Sequence, residues 1–276
     1  MIKVCVTGNK GFIGRALQIE LEKQGYIVVG IEKWIFRKDS WAKDYQEYLE
    51  GIKPDAVFHV GACSDTQNQD ATEMLKLNTL STYIIADYCQ KNTIPLIFSS
   101  SASVYGSNGQ PETLYAWSKY LAELYCLKVG GVALRYFNVN GHYELEKGKM
   151  ASVACQAYSK WKFGERMKLF PQRPTRDFVY VKDVVSANIH AWDNYDSVKG
   201  KAYDVGSGQS RAFEEVMNIM NILFDYVPDE QIPANYQFNT KADSEKFMQG
   251  WEPKYQIEEG LREYLADLKI STIQPY

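Results

Sequence analysis

The sequence predicts an α/β protein: a Rossmann-like, doubly wound parallel sheet with a smaller C-terminal α/β substrate-binding part. Three features predict it. Short apolar runs alternate with longer helical patterns. The runs are apolar almost throughout, not at every second residue, which suits strands covered on both faces. The first run leads straight into spaced glycines.

The strands expected are 2–7 (IKVCVT), 26–31 (YIVVGI), 55–60 (DAVFHV), 95–100 (PLIFSS) and 131–136 (GVALRY). Between them the periodicity predicts helices at 12–24 ended by Gly25, 41–50 ended by Gly51, 70–91 and 114–128. Beyond about residue 140 the pattern changes to helices near 150–162, 181–195, 211–225 and 256–268, with strand-like runs at 176–181 and 201–208. The expected division is therefore interleaved. Residues 1–140 with 177–208 form the dinucleotide-binding part, and 141–176 with 209–276 form the substrate-binding cap.

The 276 residues are 45% hydrophobic and carry a net charge of −3, which allows a large core. The charges are spread along the chain, so no nucleic-acid partner is expected. Cys5, Cys63, Cys89, Cys126 and Cys155 form no Cys-x-x-Cys pair and read as free thiols. His59, His142 and His190 are scattered, so no metal site is expected. No run approaches membrane-spanning length and the N-terminus lacks a signal-peptide pattern. A soluble cytoplasmic protein without a membrane partner is the expectation.

Gly8, Gly11 and Gly14 follow a strand and open a helix. One glycine serves a tight turn, one the approach of a pyrophosphate, and one close helix–strand packing. The helix start offers N–H groups to phosphates, which makes Lys10, Phe12 and Ile13 part of the same cradle. Glu32 ends the second strand. An acidic group there binds a ribose 2′-hydroxyl and repels a 2′-phosphate, so NAD is favoured. Lys33, Arg37 and Lys38 follow it and leave NADP open.

Tyr115 and Lys119 share one face of a helix at i and i+4. An ammonium beside a phenol lowers the phenol's pKa, as a base at neutral pH requires. Ser101, in a row of hydroxyls at the end of the fourth strand, is placed to hydrogen-bond a substrate oxygen. The charged stretch NVNGHYELEKGKMASVA (138–154) reads on its residues alone as a polar connector, with Glu144 and Glu146 on the surface.

Gly-x-x-Gly-x-x-Gly, SSSASVYG, Tyr-x-x-x-Lys, LRYFNV and RDFVYVKDV occur in this order across nearly the whole chain. The chain resembles the extended short-chain dehydrogenase/reductases that modify nucleotide sugars. GACSDT and KGKMASVA narrow the likeness to the ADP-glycero-manno-heptose 6-epimerase branch. That resemblance implies a nucleotide-sugar epimerase using tightly bound NAD(P), with an ADP-heptose-like substrate, transient oxidation to a carbonyl and re-reduction on the other face. It implies Tyr115 as proton acceptor and donor, Lys119 on the nicotinamide ribose, and Lys147 as a second acid/base. Gly61, Ala62, Cys63, Ser64, Asn78, Ser99, Tyr136, Asn138 and Val139 are implied at the cofactor. Ser64, Ser101, Asn138, Lys149, Gln156, Phe170, Arg176 and Tyr236 are implied at the substrate, Arg176 pairing with its pyrophosphate. A homo-oligomer through helices 70–91 and 114–128 is implied as well.

Other chemistry stays open at this point. UDP-, GDP- or dTDP-sugar 4-epimerases, dehydratases and reductases share the general motifs. Ala102 and Ser103 after Ser101 argue against a dehydratase, which has an acidic pair there. A non-catalytic cofactor sensor is opposed by the intact Ser101, Tyr115 and Lys119. The interval from Glu32 to Asp55 leaves little room for the family's usual extra strand.

Overall fold

The structure, a computed structural model, describes residues 1–228 and 237–271. Its centre is a six-stranded parallel sheet of β1 (Lys3–Thr7), β2 (Ile27–Ile31), β3 (Ala56–His59), β4 (Leu96–Ser101), β5 (Val132–Tyr136) and, later in the chain, β9 (Ala202–Val205). Its order is β2-β1-β3-β4-β5-β9. A second sheet joins β6 (Asn138–Asn140), β8 (Thr175–Tyr180) and β10 (Ser210–Ala212), and β7 (Met167–Leu169) pairs with β11 (Phe224–Tyr226).

The apolar runs are explained by burial on two faces. Val4 and Val6, Ala56 and Phe58, Ile97, and Val132 and Leu134 point into one core. Their neighbours Cys5, Val57, Leu96, Phe98 and Ala133 point into the other. Strand side chains alternate across the sheet, so an element covered on both sides has no polar position to show. The first face is covered by α1 (Phe12–Lys23) and, from later in the chain, α7 (Val181–Asp193). The second is covered by α2 (Trp41–Ile52), by α3 (Ala71–Met74) continuing into α4 (Ser81–Asn92), and by α5 (Leu114–Lys128). A third core unites α6 (Val153–Lys162), α9 (Phe213–Met220) and α10 (Ile257–Ser271) with β7 and β8; the short α8 (Tyr195–Val198) closes the return to β9. The segment 177–208 is shared: β8 pairs with β6 and β10, whereas α7 and β9 belong to the central sheet.

Several expected elements differ. Helix α2 runs through Gly51 and ends at Lys53, whose left-handed backbone makes the cap. The helix expected over 70–91 contains a wide π-helical segment, Leu75–Leu80. The one expected over 211–225 shrinks to Phe213–Met220 between two three-residue strands. Such strands hold too few residues for a period to show. Between β2 and β3 lie only a 3-10 turn (Lys33–Arg37) and α2, so β2 remains the sheet edge.

Candidate active site

The chain leaves β1 toward β2 on one side and then crosses to β3 on the other. The crevice at the C-terminal ends of β1 and β3 is the switch point where such sheets bind ligands. Two glycine turns meet there. Gly8 has φ +66°, and a Cβ on it would lie 2.7 Å from the Gly61 Cα. A Cβ on Gly14 would lie 2.1 Å from the Gly8 carbonyl oxygen. Thr7 Oγ1 ties the turns together by accepting from the Gly61 N–H at 2.9 Å. It also pairs with His59 Nδ1 at 2.7 Å, and the other ring nitrogen pairs with Thr82 Oγ1 at 2.9 Å. Burial, reinforced by the charge of Lys119, pushes the His59 pKa down to about 3, so the ring is a neutral strut.

The crevice fits the nucleotide its glycines suggest. Gly11 opens α1 with no side-chain cap and no acidic residue in the first turn, which leaves the helix start to an anion. Glu32 Oε1 accepts the Lys10 N–H at 2.8 Å, so the carboxylate stands on the rim of the glycine turn. Ala62 and Ser64 are exposed along the second turn, with Gly61 and Cys63 half-buried beside them. Asn78 is buried under that turn. Its side chain accepts from the Cys63 N–H at 2.7 Å, donates to the Cys63 carbonyl at 3.1 Å and donates to Ser118 Oγ on α5 at 2.9 Å. It therefore shapes the turn from below, and the π-helical segment around it supplies the room.

Helix α5 starts at Thr113, whose side chain caps the Ala116 N–H at 3.1 Å. It places the Tyr115 hydroxyl near Ser101. Ser103 Oγ donates to Ser101 Oγ at 2.9 Å, adding a third hydroxyl that sequence reading did not assign. The pKa of Tyr115 is not lowered as the Tyr-x-x-x-Lys spacing predicts. Burial raises it, and the neighbouring Ser101 hydroxyl only partly opposes this. The reason is that the Lys119 ammonium lies over the Phe98 ring, 4.4 Å from its centroid. Lys119 itself falls to about 7, driven by burial and opposed by the charge of Glu123.

Lys147 reaches the start of α1 from the other half of the chain. Its Nζ stands 5.6 Å from the centroid of Phe12, the first residue of α1. It is half-buried, and burial lowers its pKa against the opposing charge of Glu144. Glu144 corrects the surface assignment, because it is fully buried. Its carboxylate accepts from the Ser152 N–H and from Ser152 Oγ, and Tyr264 on α10 lies near it. Glu146 is exposed as expected and faces Arg15 at 3.6 Å.

The remaining candidates divide. Asn138 and Val139 are half-buried on β6, with Thr240 Oγ1 at 3.4 Å from Asn138 Oδ1. Ser99 and Tyr136 bond each other at 2.9 Å, and Tyr136 also meets Asn188, so both hydroxyls lie inside the core. Arg176 Nη1 donates to the carbonyls of Thr175 and Phe238 at 2.9 and 3.0 Å. Its neighbour Asp177 is fully buried and accepts the N–H groups of Ser207, Gly208 and Ala242, fixing the turn after β9. Lys33 and Lys149 are exposed, and Phe170 is half-buried after β7. The Gln156 amide donates to the Ala151 carbonyl at 2.8 Å and to that of Lys149 at 3.3 Å. Tyr236 lies outside the described residues.

Fold and crevice together define a dinucleotide-binding enzyme of the short-chain dehydrogenase/reductase architecture. Residues 4–206 match the NAD dependent epimerase/dehydratase family, and the chain belongs to that family. It is 32% identical to the ADP-L-glycero-D-manno-heptose-6-epimerase of Brachyspira hyodysenteriae, across 97% of this chain and 98% of that protein. The ADP-L-glycero-D-manno-heptose-6-epimerase of Helicobacter pylori superposes with a TM-score of 0.82 at 25% identity, covering 97% of this chain and 96% of that one. The UDP-glucose 4-epimerase of Thermotoga maritima gives 0.85 at 22% identity, covering 99% and 100%, a likeness of fold. No helix among the described residues is long and apolar enough to cross a membrane.

Proposed function

We propose that this enzyme epimerises a nucleotide sugar, and that the sugar is an ADP-heptose inverted at carbon six. The observation that carries this reading is Lys147, a half-buried ammonium beside the start of α1, separate from the Ser101–Tyr115 pair. The named activity of the Brachyspira relative supports the choice of substrate.

Inversion at an alcohol carbon removes a hydride and restores it to the opposite face. NAD, held at the glycine turns, would supply the hydride acceptor and donor, and Tyr115 would handle the proton. The protein must manage the proton and the turning of the substrate. Ser101 Oγ holds the substrate oxygen while Tyr115 Oη takes its proton, a pairing supported by the nearness of the two hydroxyls. Carbon six of a heptose lies outside the ring, so the carbonyl presents its other face by rotation about one bond. Its oxygen then moves away from Tyr115. Lys147 Nζ gives the proton at the second position, and burial keeps its pKa low enough for exchange. Arg176 serves the diphosphate, its plane fixed by the carbonyls it already holds.

A homo-oligomer belongs to the same proposal. Leu80, Trp117 and Leu124 are exposed on the π-helical segment and α5, the elements a partner copy would cover. The test is incubation with ADP-heptose, following the C6 epimers by NMR, alongside mass spectrometry of co-purifying ligands. Interconversion is expected. Conversion of a different nucleotide sugar, with ADP-heptose untouched, would overturn the substrate.

A further inference from the structure

One buried polar network of this site has no part in the proton transfers described. It starts at Glu123, one turn beyond Lys119 on α5 and 1% exposed. Glu123 Oε2 accepts from Ser100 Oγ at 2.6 Å, and Ser100 directly precedes Ser101. Arg135 on β5 grips the same carboxylate, with Nη2 at 2.5 Å from Oε1 and Nε at 3.0 Å from Oε2. Arg135 Nη1 then donates to the Tyr105 hydroxyl at 2.8 Å, and Tyr105 donates to Asp204 on β9 at 2.6 Å. Tyr105 lies in the 3-10 turn, Ala102–Tyr105, that carries Ser103. The network thus fastens both sides of Ser101 to α5, β5 and β9.

The charges are arranged with equal economy. Lys119 is 3% exposed and faces Phe98 from β4, His59 from β3, and Glu123 and Cys126 from its own helix. His59 is neutral at pH 7, and burial holds the Cys126 thiol well above its usual range, so it is neutral too. Glu123 is the charged group of that set. Arg135 lies beyond it and balances Asp204. With Lys119 and Arg135 cationic and Glu123 and Asp204 anionic, the four groups sum to neutrality, the condition under which buried charges persist.

We propose that Glu123 is a positioning residue for the catalytic pair: it fixes the Ser101 end of β4 through Ser100 and supplies the counter-charge that keeps Lys119 protonated. The proposal rests on the roles given to Ser101, Tyr115 and Lys119 above, but not on the identity of the sugar. A carboxylate that only filled space would leave the titration of Lys119 alone.

The experiment is an NMR titration of the full-length protein labelled at lysine Cε, with the Lys119 signal assigned by its loss in Lys119→Met. The parent signal titrates near 7. Glu123→Gln keeps an acceptor for Ser100 but removes the charge, so its midpoint falls by about one unit or more. Glu123→Asp, which keeps the charge, stays near the parent. If Glu123→Gln does not fold, Glu123→Gln/Arg135→Met removes the pair without stranding a guanidinium, and its midpoint also falls. Turnover gives a second readout: the optimum of the Gln variant moves to lower pH, where Lys119 regains its proton. Superimposable titrations of parent and variant overturn the proposal. A parent that titrates as described but leaves ADP-heptose unchanged contradicts the substrate instead.

Discussion

Lys119 and Lys147 are built alike in opposite halves of the chain. Burial lowers the pKa of each, and a buried carboxylate on the same segment opposes it: Glu123 four residues after Lys119, Glu144 three residues before Lys147. They differ in what holds them. Lys119 sits in a regular helix capped by Thr113 and packed against β4 and the π-helical segment. Lys147 sits in 3-10 turns broken at Gly148, entered through the left-handed Tyr143 and anchored to the start of α6 by Glu144. The difference teaches that the same pairing of a buried lysine with a buried carboxylate can be built on a regular helix or on a shaped loop.

Mutation separates the two lysines. The largest effect is expected on the helix side. Tyr115→Phe removes the proton carrier and lowers turnover by about a hundred- to ten-thousand-fold, with NAD affinity retained by fluorescence titration. Lys119→Met also removes turnover, and it changes how stability depends on pH. The folded pKa of Lys119, about 7, lies below that of an unfolded lysine. The unfolded chain therefore holds more protons above pH 7, and the parent's stability rises with pH across that window. The variant, melted across that window without added NAD, should lose that rise.

Smaller effects sharpen the loop side. Glu144→Gln removes the charge opposing the burial of Lys147, so the pH profile of inversion moves acidward while NAD affinity stays unchanged. An unmoved profile would make Glu144 only an anchor. Gly14→Ala probes the glycine turn. Its Cβ would meet the Gly8 carbonyl at 2.1 Å, costing about 1–3 kcal/mol in chemical unfolding and weakening NAD. The smallest effect is expected from Glu146→Ala, whose exposed pairing with Arg15 contributes within about 0.5 kcal/mol.

The same contrast shows what can be read from a sequence. The sheet was legible because two-sided burial writes itself as continuous apolar runs, and α5 was legible because its helical pattern runs unbroken over 114–128. The missing strand between β2 and β3 followed from chain length alone. Glu144 was not legible. A glutamate among charges looks solvated, and its burial depends on Ser152 and Tyr264, which tertiary packing brings to it. Glu123 left one signal, an acid one turn beyond Lys119 on the same helical face. The position of the Lys119 ammonium over Phe98 left none, because it depends on the neighbouring strand.

The central claim is that inversion needs a proton donor on each half of the chain. Lys147→Ala tests it most directly, by NMR of the C6 epimers of ADP-heptose beside the parent, with NAD affinity measured on the same sample. The account predicts that the variant binds NAD as the parent does and produces no C6 inversion. Inversion at the parent rate would contradict it and return residues 138–154 to the status of a connector.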